Sequence, residues 1–431
     1  MSPNTYKWLP VAVLSAFAGT STPAADLEPE LKTVDAKVIA WRRDFHEHPE
    51  LSDHEVRTAQ IVADHLKGLG LEVTTGVAHN GVVALLKTGK PGPTIALRAD
   101  MDALPVTERV DVPFKSTVKS SYRGEEVGVM HACGHDSHTA VLMGVAEALT
   151  KAKGRLRGNV LFVFQPAEEG MPPGEPGGAS LMLEEGIFAR YKPEVAFGWH
   201  AWATLHTGDI GYRSGPFMAD SNAWKITVTG RQTHGSRPWG GVDPIVVSAQ
   251  IVNALQTIVS RQIDLTDQPA VVTVGAIKGG IRNNIIPDSV EMIGTVRTFS
   301  PTQKKQIFES MARITEKTAE ASGATAKFEP DAYTNPVVLN DPKLTARELP
   351  VLRKVVGAAN VKEISLITGS EDFAYFANTV PSFFYMVGVA PKDADLGKVA
   401  ANHSPLFYID ETAIPIATRA LTAVAVDYLT K

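Results

Sequence analysis

The sequence predicts an α/β fold: a central, mostly parallel sheet wrapped by helices and interrupted by an inserted ferredoxin-like βαββαβ unit. Three observations predict it. Short apolar runs alternate with helical-period segments from residue 73 onward. Three of those runs are followed by acidic or imidazole side chains, the pattern expected where strands deliver groups to one edge of an open sheet. Residues 216–330 follow a βαββαβ order of their own, and the α/β pattern resumes after them.

The elements follow in order. Leu27 to His48 is expected to be an amphipathic helix, with Leu31, Val34, Val38 and Trp41 near helical spacing and Pro49 as its stop. Ser52 is read as the N-cap of the next helix, with Glu55 three residues later completing a capping box. That helix runs to about Leu69, where Gly70 ends it. Val73–Thr75, Val82–Lys87 and Thr94–Ala99 read as strands. Ser137 to Lys151 reads as a helix with Val141, Leu142, Val145 and Leu149 on one face. Val160–Phe164 and Val195–Trp199 are short buried strands. Gly170 to Gly178, rich in Pro and Gly, is an irregular loop placed to border a substrate entrance.

In the insert, Trp224–Gly230, Ala270–Ala276, Ser289–Thr298 and Ala324–Pro330 read as strands. The helices there start at Asp243-Pro244 and Pro301. Beyond it come a helix over Leu344–Val356 (weakened by Pro350), a strand over Ser382–Val389 and a closing helix over Ile414–Leu429. The larger domain is therefore 26–215 plus 331–431, and the insert is 216–330.

A chain of 431 residues, 44% hydrophobic and 21% charged, can bury two cores and has an ordinary soluble composition. The formal charge of −5 comes with no basic stripe, which argues against a nucleic-acid or anionic-membrane partner. Residues 1–25 read as a secretory signal: Lys7, an apolar run from Trp8 to Gly19, and small residues at Thr22-Pro23-Ala24-Ala25. A disordered tail is the other reading. The run is too short to span a bilayer, and no other segment approaches the required length. Export implies a secreted protein, periplasmic in a bacterium with two membranes.

The only cysteine, Cys133, stands among His131, His135, Asp136 and His138. One cysteine cannot form an internal disulfide, so the thiol is a liability, a buried bystander or a ligand. The helix expected to begin near Asp136 or Ser137 would favour the thiolate through its dipole. Glu169, His200 and His403 add donors, and together the five could hold two divalent ions about 3.5–4 Å apart. Glu168 and Glu169 are adjacent in a turn after a buried strand, so one can ligate while the other handles protons. Glu169 is assigned to metal and Glu168 to proton transfer. Asp102 is expected to orient a histidine ligand from behind, although an ordinary turn carboxylate before Pro105 is as good a reading. His200 and His403 are weak signals singly, and each alone reads equally as a core or turn histidine.

Six stretches then carry a resemblance: Phe45 to Ser52, Leu97 to Pro105, His131 to Asp136, Gln165 to Gly170, Asn284 to Asp288 and Gly369 to Phe373. They resemble, in order over nearly the whole chain, the M20 family of dinuclear metallopeptidases. The nearest branch is the amidohydrolases: hippurate hydrolases, N-acyl amino acid amidohydrolases and plant auxin-conjugate hydrolases. The resemblance implies Cys133, His135, Glu169, His200 and His403 as metal ligands and Glu168 as the acid–base. It implies that the insert is a lid and dimerisation domain, making a homodimer or higher homo-oligomer. It matches His234 to a lid histidine that reaches an active site and Asn284 to a position near bound substrate. Peptidase branches carry a ligand histidine where this chain has Asp100 and lack the cysteine; the amidohydrolase branch shares both features with this chain.

The expected activity is metal-dependent hydrolysis of the amide bond of N-acyl amino acids. Glu168 serves as general acid/base, and His234 donates to developing negative charge. Arg282 is the candidate partner for the substrate carboxylate. Arg297 comes second, since its place in a lid strand fits a structural role equally well. The metals are zinc or manganese, with cobalt or nickel also compatible. A dipeptidase or carboxypeptidase using the same site is the alternative, and an exported binding protein a further one.

Overall fold

The computed structural model describes residues 27–171, 176–332 and 334–430. The expected signal segment lies outside the described residues. The first part of the chain gives α1 (Glu28–Glu47), α2 (Val56–Gly68), β1 (Glu72–Val77), β2 (Gly81–Lys87) and β3 (Thr94–Asp100). It continues with α3 (His135–Lys151), β4 (Asn159–Gln165), β5 (Val195–His206) and β6 (Ile210–Tyr212). The insert follows as β7 (Asn222–Thr229), α4 (Pro244–Thr257), β8 (Val271–Gly279), β9 (Ser289–Arg297), α5 (Pro301–Ala321) and β10 (Thr325–Pro330). The last part holds α6 (Pro342–Val356), β11 (Val361–Glu363), β12 (Ser382–Ala390) and α7 (Ala413–Thr430).

The main sheet has eight strands in the order β1-β2-β4-β3-β5-β12-β6-β11. Its centre is parallel, from β4 through β3 and β5 to β12, and β1, β2 and β6 pair antiparallel towards the edges. Both faces are covered, which is why the strands read as unbroken apolar runs. On β2, Val82, Ala84 and Leu86 face the core under α1, α3 and α7, while Val83 and Leu85 face the opposite core. Helix α3 is buried along nearly its whole length, so its sequence shows a broad apolar surface and little amphipathicity.

The insert forms a separate antiparallel sheet, β8-β9-β7-β10, with α4 and α5 over its own core. Its helices start where the sequence says: the Asp243 carboxylate accepts from the amides of Ile245 and Val246, and the Ser300 hydroxyl from that of Gln303. Residues Gly215–Met218 pair instead with Val338–Asn340, and Phe217, Met218 and Val338 pack into the main core. The independent core of the insert begins only at Trp224.

The capping box at Ser52 and Glu55 is not formed. The Ser52 hydroxyl donates to Asp102 Oδ2 at 2.6 Å, and Glu55 accepts from the amide of Ala167 at 2.8 Å. The start of α2 is capped by Glu50, whose carboxylate accepts from the amides of Arg57 and Thr58 at 2.9 and 2.8 Å. A charge at that end meets the helix dipole as well as the open N–H groups.

Candidate metal centre

The strands β4, β3 and β5 run parallel as neighbours, so their carboxyl ends share one edge of the sheet. Beyond that edge five separated donors converge. Cys133 Sγ lies 3.4 Å from His200 Nε2 and 3.2 Å from His403 Nε2. His403 Nε2 is 3.2 Å from Glu169 Oε1, and His135 Nε2 is 3.9 Å from that same oxygen. Sulfur and nitrogen ligands of one tetrahedral zinc stand roughly 3.5 Å apart, so these separations suit donors to shared ions. Two overlapping sets appear: Cys133, His135 and His200, all buried, and Cys133, Glu169 and His403.

Local structure explains how each donor arrives. Gly134 has φ +95 and caps α3; a Cβ there would stand 2.9 Å from the Ala201 methyl, so the turn between Cys133 and His135 needs glycine. His200 lies within β5, past the point where pairing with β3 stops at Phe197. Its Nδ1–H donates to the carbonyl of Ala201 at 2.8 Å, leaving Nε2 free to ligate. His135 Nδ1 faces Asp102 Oδ1 at 3.2 Å, which turns its Nε2 into the site. The other acceptor capacity of Asp102 holds the amides of Glu168 and Glu169 at 3.1 and 2.9 Å. His138 is also buried here but is spoken for: its Nδ1–H donates to Asp100 at 2.6 Å and its Nε2 accepts from the amide of Ala201 at 2.8 Å.

Glu168 stands beside the donors. Its Oε2 is 3.9 Å from His135 Nε2, and its Oε1 accepts weakly from the amide of Asp372 at 3.4 Å. Burial, reinforced by Glu371, Glu169 and Asp372, pushes its acid well above the usual carboxylate range. Arg98, buried on β3, supplies a charge that partly offsets this. It donates to Gln165, Asp100, Glu371 and Asp372 at 2.8, 2.6, 2.8 and 2.8 Å. Arg98 was not among the sequence candidates; a charged residue in the middle of an apolar strand was the available signal, since such a residue is rarely buried unless paired.

The donor chemistry suits cations. His135 Nε2 is buried without a hydrogen-bond partner among the described residues, and Glu169 Oε1 faces the His403 ring nitrogen. Burial and the carboxylates of Glu169, Glu168 and Asp100 push the Cys133 thiol well above its ordinary range. Sequence reasoning expected the helix dipole to favour the thiolate; burial and like charge outweigh it, and divalent cations would reverse the balance. Burial works to lower His135, but Asp100 and Asp102 win and hold it up at about 10. Burial carries His200 well below its ordinary value, so it stays neutral and able to ligate.

A cavity of about 680 Å³ opens onto the cluster, lined by Glu168, Trp202, Met218, Arg297 and Tyr375 among others. Met171 and Gly177, from the irregular loop after the glutamate pair, border it too. His234, Asn284 and Arg282 do not line it. They sit together on the insert, where His234 pairs with Ile285 and the Gly235 amide donates to the carbonyl of Asn284. The reason is strand length. Ala223 at one end of β7 and Arg297 at the end of β9 line the cavity, whereas His234 and Asn284 lie past the opposite ends. Eight strand residues span roughly 26 Å. Arg297 rather than Arg282 therefore reaches this cavity. It is half-buried, and its Nη1 has no hydrogen-bond partner among the described residues.

Comparison with known proteins agrees with this geometry. The model of Peptidase family M20/M25/M40 matches residues 96–427. Thermostable carboxypeptidase 2 of Saccharolobus solfataricus is 39% identical over 94% of this chain and 98% of its own length. An IAA-amino acid hydrolase ILR1-like 2 of Arabidopsis thaliana is 37% identical over 91% of this chain and 85% of its own. The crystal structure of the Bacillus subtilis YXEP protein, described as a dinuclear metal-binding peptidase of the M20 family, superposes with a TM-score of 0.76. It is 34% identical and covers 92% of this chain and 99% of that one.

Proposed function

The chain belongs to peptidase family M20/M25/M40, and from that premise we propose that it is an exported, dinuclear metal-dependent amidohydrolase that releases amino acids from their N-acyl conjugates. It is a metal-dependent hydrolase of amide bonds, and the binding-protein alternative falls with that membership. The observation that carries the finer reading is the meeting of a thiol, three imidazoles and a carboxylate around Cys133, with Glu168 beside them.

Cys133, His135, Glu169, His200 and His403 would hold two divalent ions. Bound there, such ions supply Lewis acidity towards a carbonyl oxygen and acidify water. Asp102 orients His135 and fixes the turn that presents Glu168. Glu168 takes the proton from water and delivers it to the departing amine nitrogen. Taking that proton requires the carboxylate and delivering it the acid; burial raises Glu168, and bound cations would pull it back down. Arg297 binds the carboxylate of the amino-acid half through its unpaired guanidinium nitrogen.

His234 and Asn284 serve the cavity of a second copy. Strand length keeps them from their own, and their exposed and half-exposed positions leave them open to a partner. Zinc or manganese is the proposed metal, and residues 1–25 direct the chain to the periplasm.

The carboxypeptidase name of a 39% identical relative supports a second reading, cleavage of peptides at the same centre. Metal analysis of the purified protein, paired with a panel of acylated amino acids and dipeptides, tests both. The amidohydrolase reading expects two ions per chain and kcat/KM higher on hippurate-like substrates. Faster turnover of dipeptides would install the second reading, and absence of divalent metal after reconstitution would overturn both.

A further inference from the structure

Asn402, immediately before His403, sits half-buried in the seam between three donor-bearing segments. Its Nδ2 donates to the carbonyl of Ala201 at 2.9 Å and to that of Cys133 at 3.3 Å. Its Oδ1 accepts from the amide of Ala203 at 3.1 Å. The carbonyl of Ala201 is the same one that receives His200 Nδ1–H and fixes that ring. One amide side chain thus ties the Cys133 turn, the strand of His200 and the loop of His403.

The need for such a tie is visible in His403. Its side chain is 54% exposed, whereas Cys133, His135 and His200 are buried. Its backbone has φ +70, a left-handed conformation that a non-glycine residue rarely adopts without support from its surroundings. The amide of His403 donates to the carbonyl of Ala132 at 2.8 Å, the amide of Arg109 donates to the carbonyl of Pro405 at 2.8 Å, and Phe407 is anchored in the main core. Among these ties, the Asn402 side chain is the one that runs from the residue next to His403 to both other donor-bearing segments. No other side chain of similar size suits the position. It must present two N–H donors to carbonyls and an acceptor to an amide, and aspartate offers only acceptors.

We infer that Asn402 is a positioning residue that holds His403 on the outer of two unequal ion sites. The outer site is Cys133, Glu169 and His403, and the inner is Cys133, His135 and His200. The inference rests on the dinuclear reading above. It follows that loss of the Asn402 contacts weakens the outer ion and leaves the inner one in place.

The test uses the full chain freed of metal with a chelator and titrated with cobalt(II), followed by calorimetry and by the thiolate-to-cobalt absorption band. The wild-type chain is expected to take two ions. Asn402→Ala and Asn402→Asp are expected to keep one tight ion and the absorption band, and to bind the second roughly 10–100-fold more weakly. The metal-free unfolding temperature should fall by no more than a few degrees, leaving the chain folded at the titration temperature. Should Asn402→Ala not fold, Asn402→Asp, of equal size, carries the test. Two ions at wild-type affinity in the variants overturn the inference, and so does joint loss of both ions from a variant that is still folded without metal. A wild-type chain that binds fewer than two ions overturns the dinuclear reading itself, and the inference with it.

Discussion

Asp102 Oδ1 lies 3.2 Å from His135 Nδ1, and the same carboxylate also accepts the amides of Glu168 and Glu169 and the hydroxyl of Ser52. One buried anion therefore orients a donor to the metals and the turn that carries both glutamates. Asp102→Asn would face an N–H of its own towards an amide that needs an acceptor. Metal affinity should fall about 10–100-fold, read by chelator competition, with activity falling alongside it.

Glu168→Gln separates proton transfer from metal binding. The amide is close to isosteric but cannot carry the proton. Expect kcat to fall by about 10²–10⁴-fold with two ions still bound by metal analysis. Unchanged kcat would remove Glu168 from the mechanism.

Arg297→Ala should raise KM for acylated amino acids by roughly 10–100-fold, with a smaller change in kcat, because it removes binding shared by ground and transition states. The matching amino-acid amides, which lack the carboxylate, should be hydrolysed equally by both proteins.

His234→Ala and Glu168→Gln chains, each inactive alone, should recover activity when mixed. If His234 acts on a second copy, statistical exchange leaves one complete site in half the dimers, about a quarter of wild-type activity. If each His234 serves its own chain, every site in the mixture stays defective and nothing is recovered.

Stability should depend on pH through His46, which is buried between Asp136 at 2.8 Å and Glu108 at 3.1 Å. Burial works to lower its pKa, but the two carboxylates outweigh it and the net shift is upward. A raised histidine contributes fully below its unfolded value of about 6.5, and the contribution fades as pH climbs through the folded value. The Tm difference between wild type and His46→Gln should be widest near pH 6 and narrow towards pH 9. A gap that widens with rising pH would contradict the assignment. Asp136 runs the other way. Burial raises it, but Arg42 and His46 hold it far below its ordinary range, so its share is full above the unfolded value of about 3.9 and is lost progressively as pH falls below that.

Much of this was legible in the residues. Apolar runs followed by Asp100, by Glu168 and Glu169, and by His200 announced buried strands and their functional edge, and Asp243-Pro244 and Pro301 marked helix starts that the structure keeps. Long-range use of short-range residues was not legible. Ser52 and Glu55 have the spacing of a local cap, yet they bond to Asp102 and to Ala167, because a hydroxyl and a carboxylate serve either purpose and only the fold decides. Arg98 and Asn402 have no periodic signature; their partners come from segments far apart in the chain. For His234, Arg282 and Asn284, chain order does not say which end of a strand meets which cavity.

The register from Ala223 opposite Thr295 to Thr229 opposite Ser289 is unbroken, so β7 and β9 form one stiff ladder, tied at its base by the amide of Thr298 donating to Asp220. Residues six positions apart along it stand roughly 20 Å from one another, so its two ends can be altered separately. A graft or truncation at residues 231–241 would leave the cavity-lining end of the ladder, with Ala223 and Arg297, untouched.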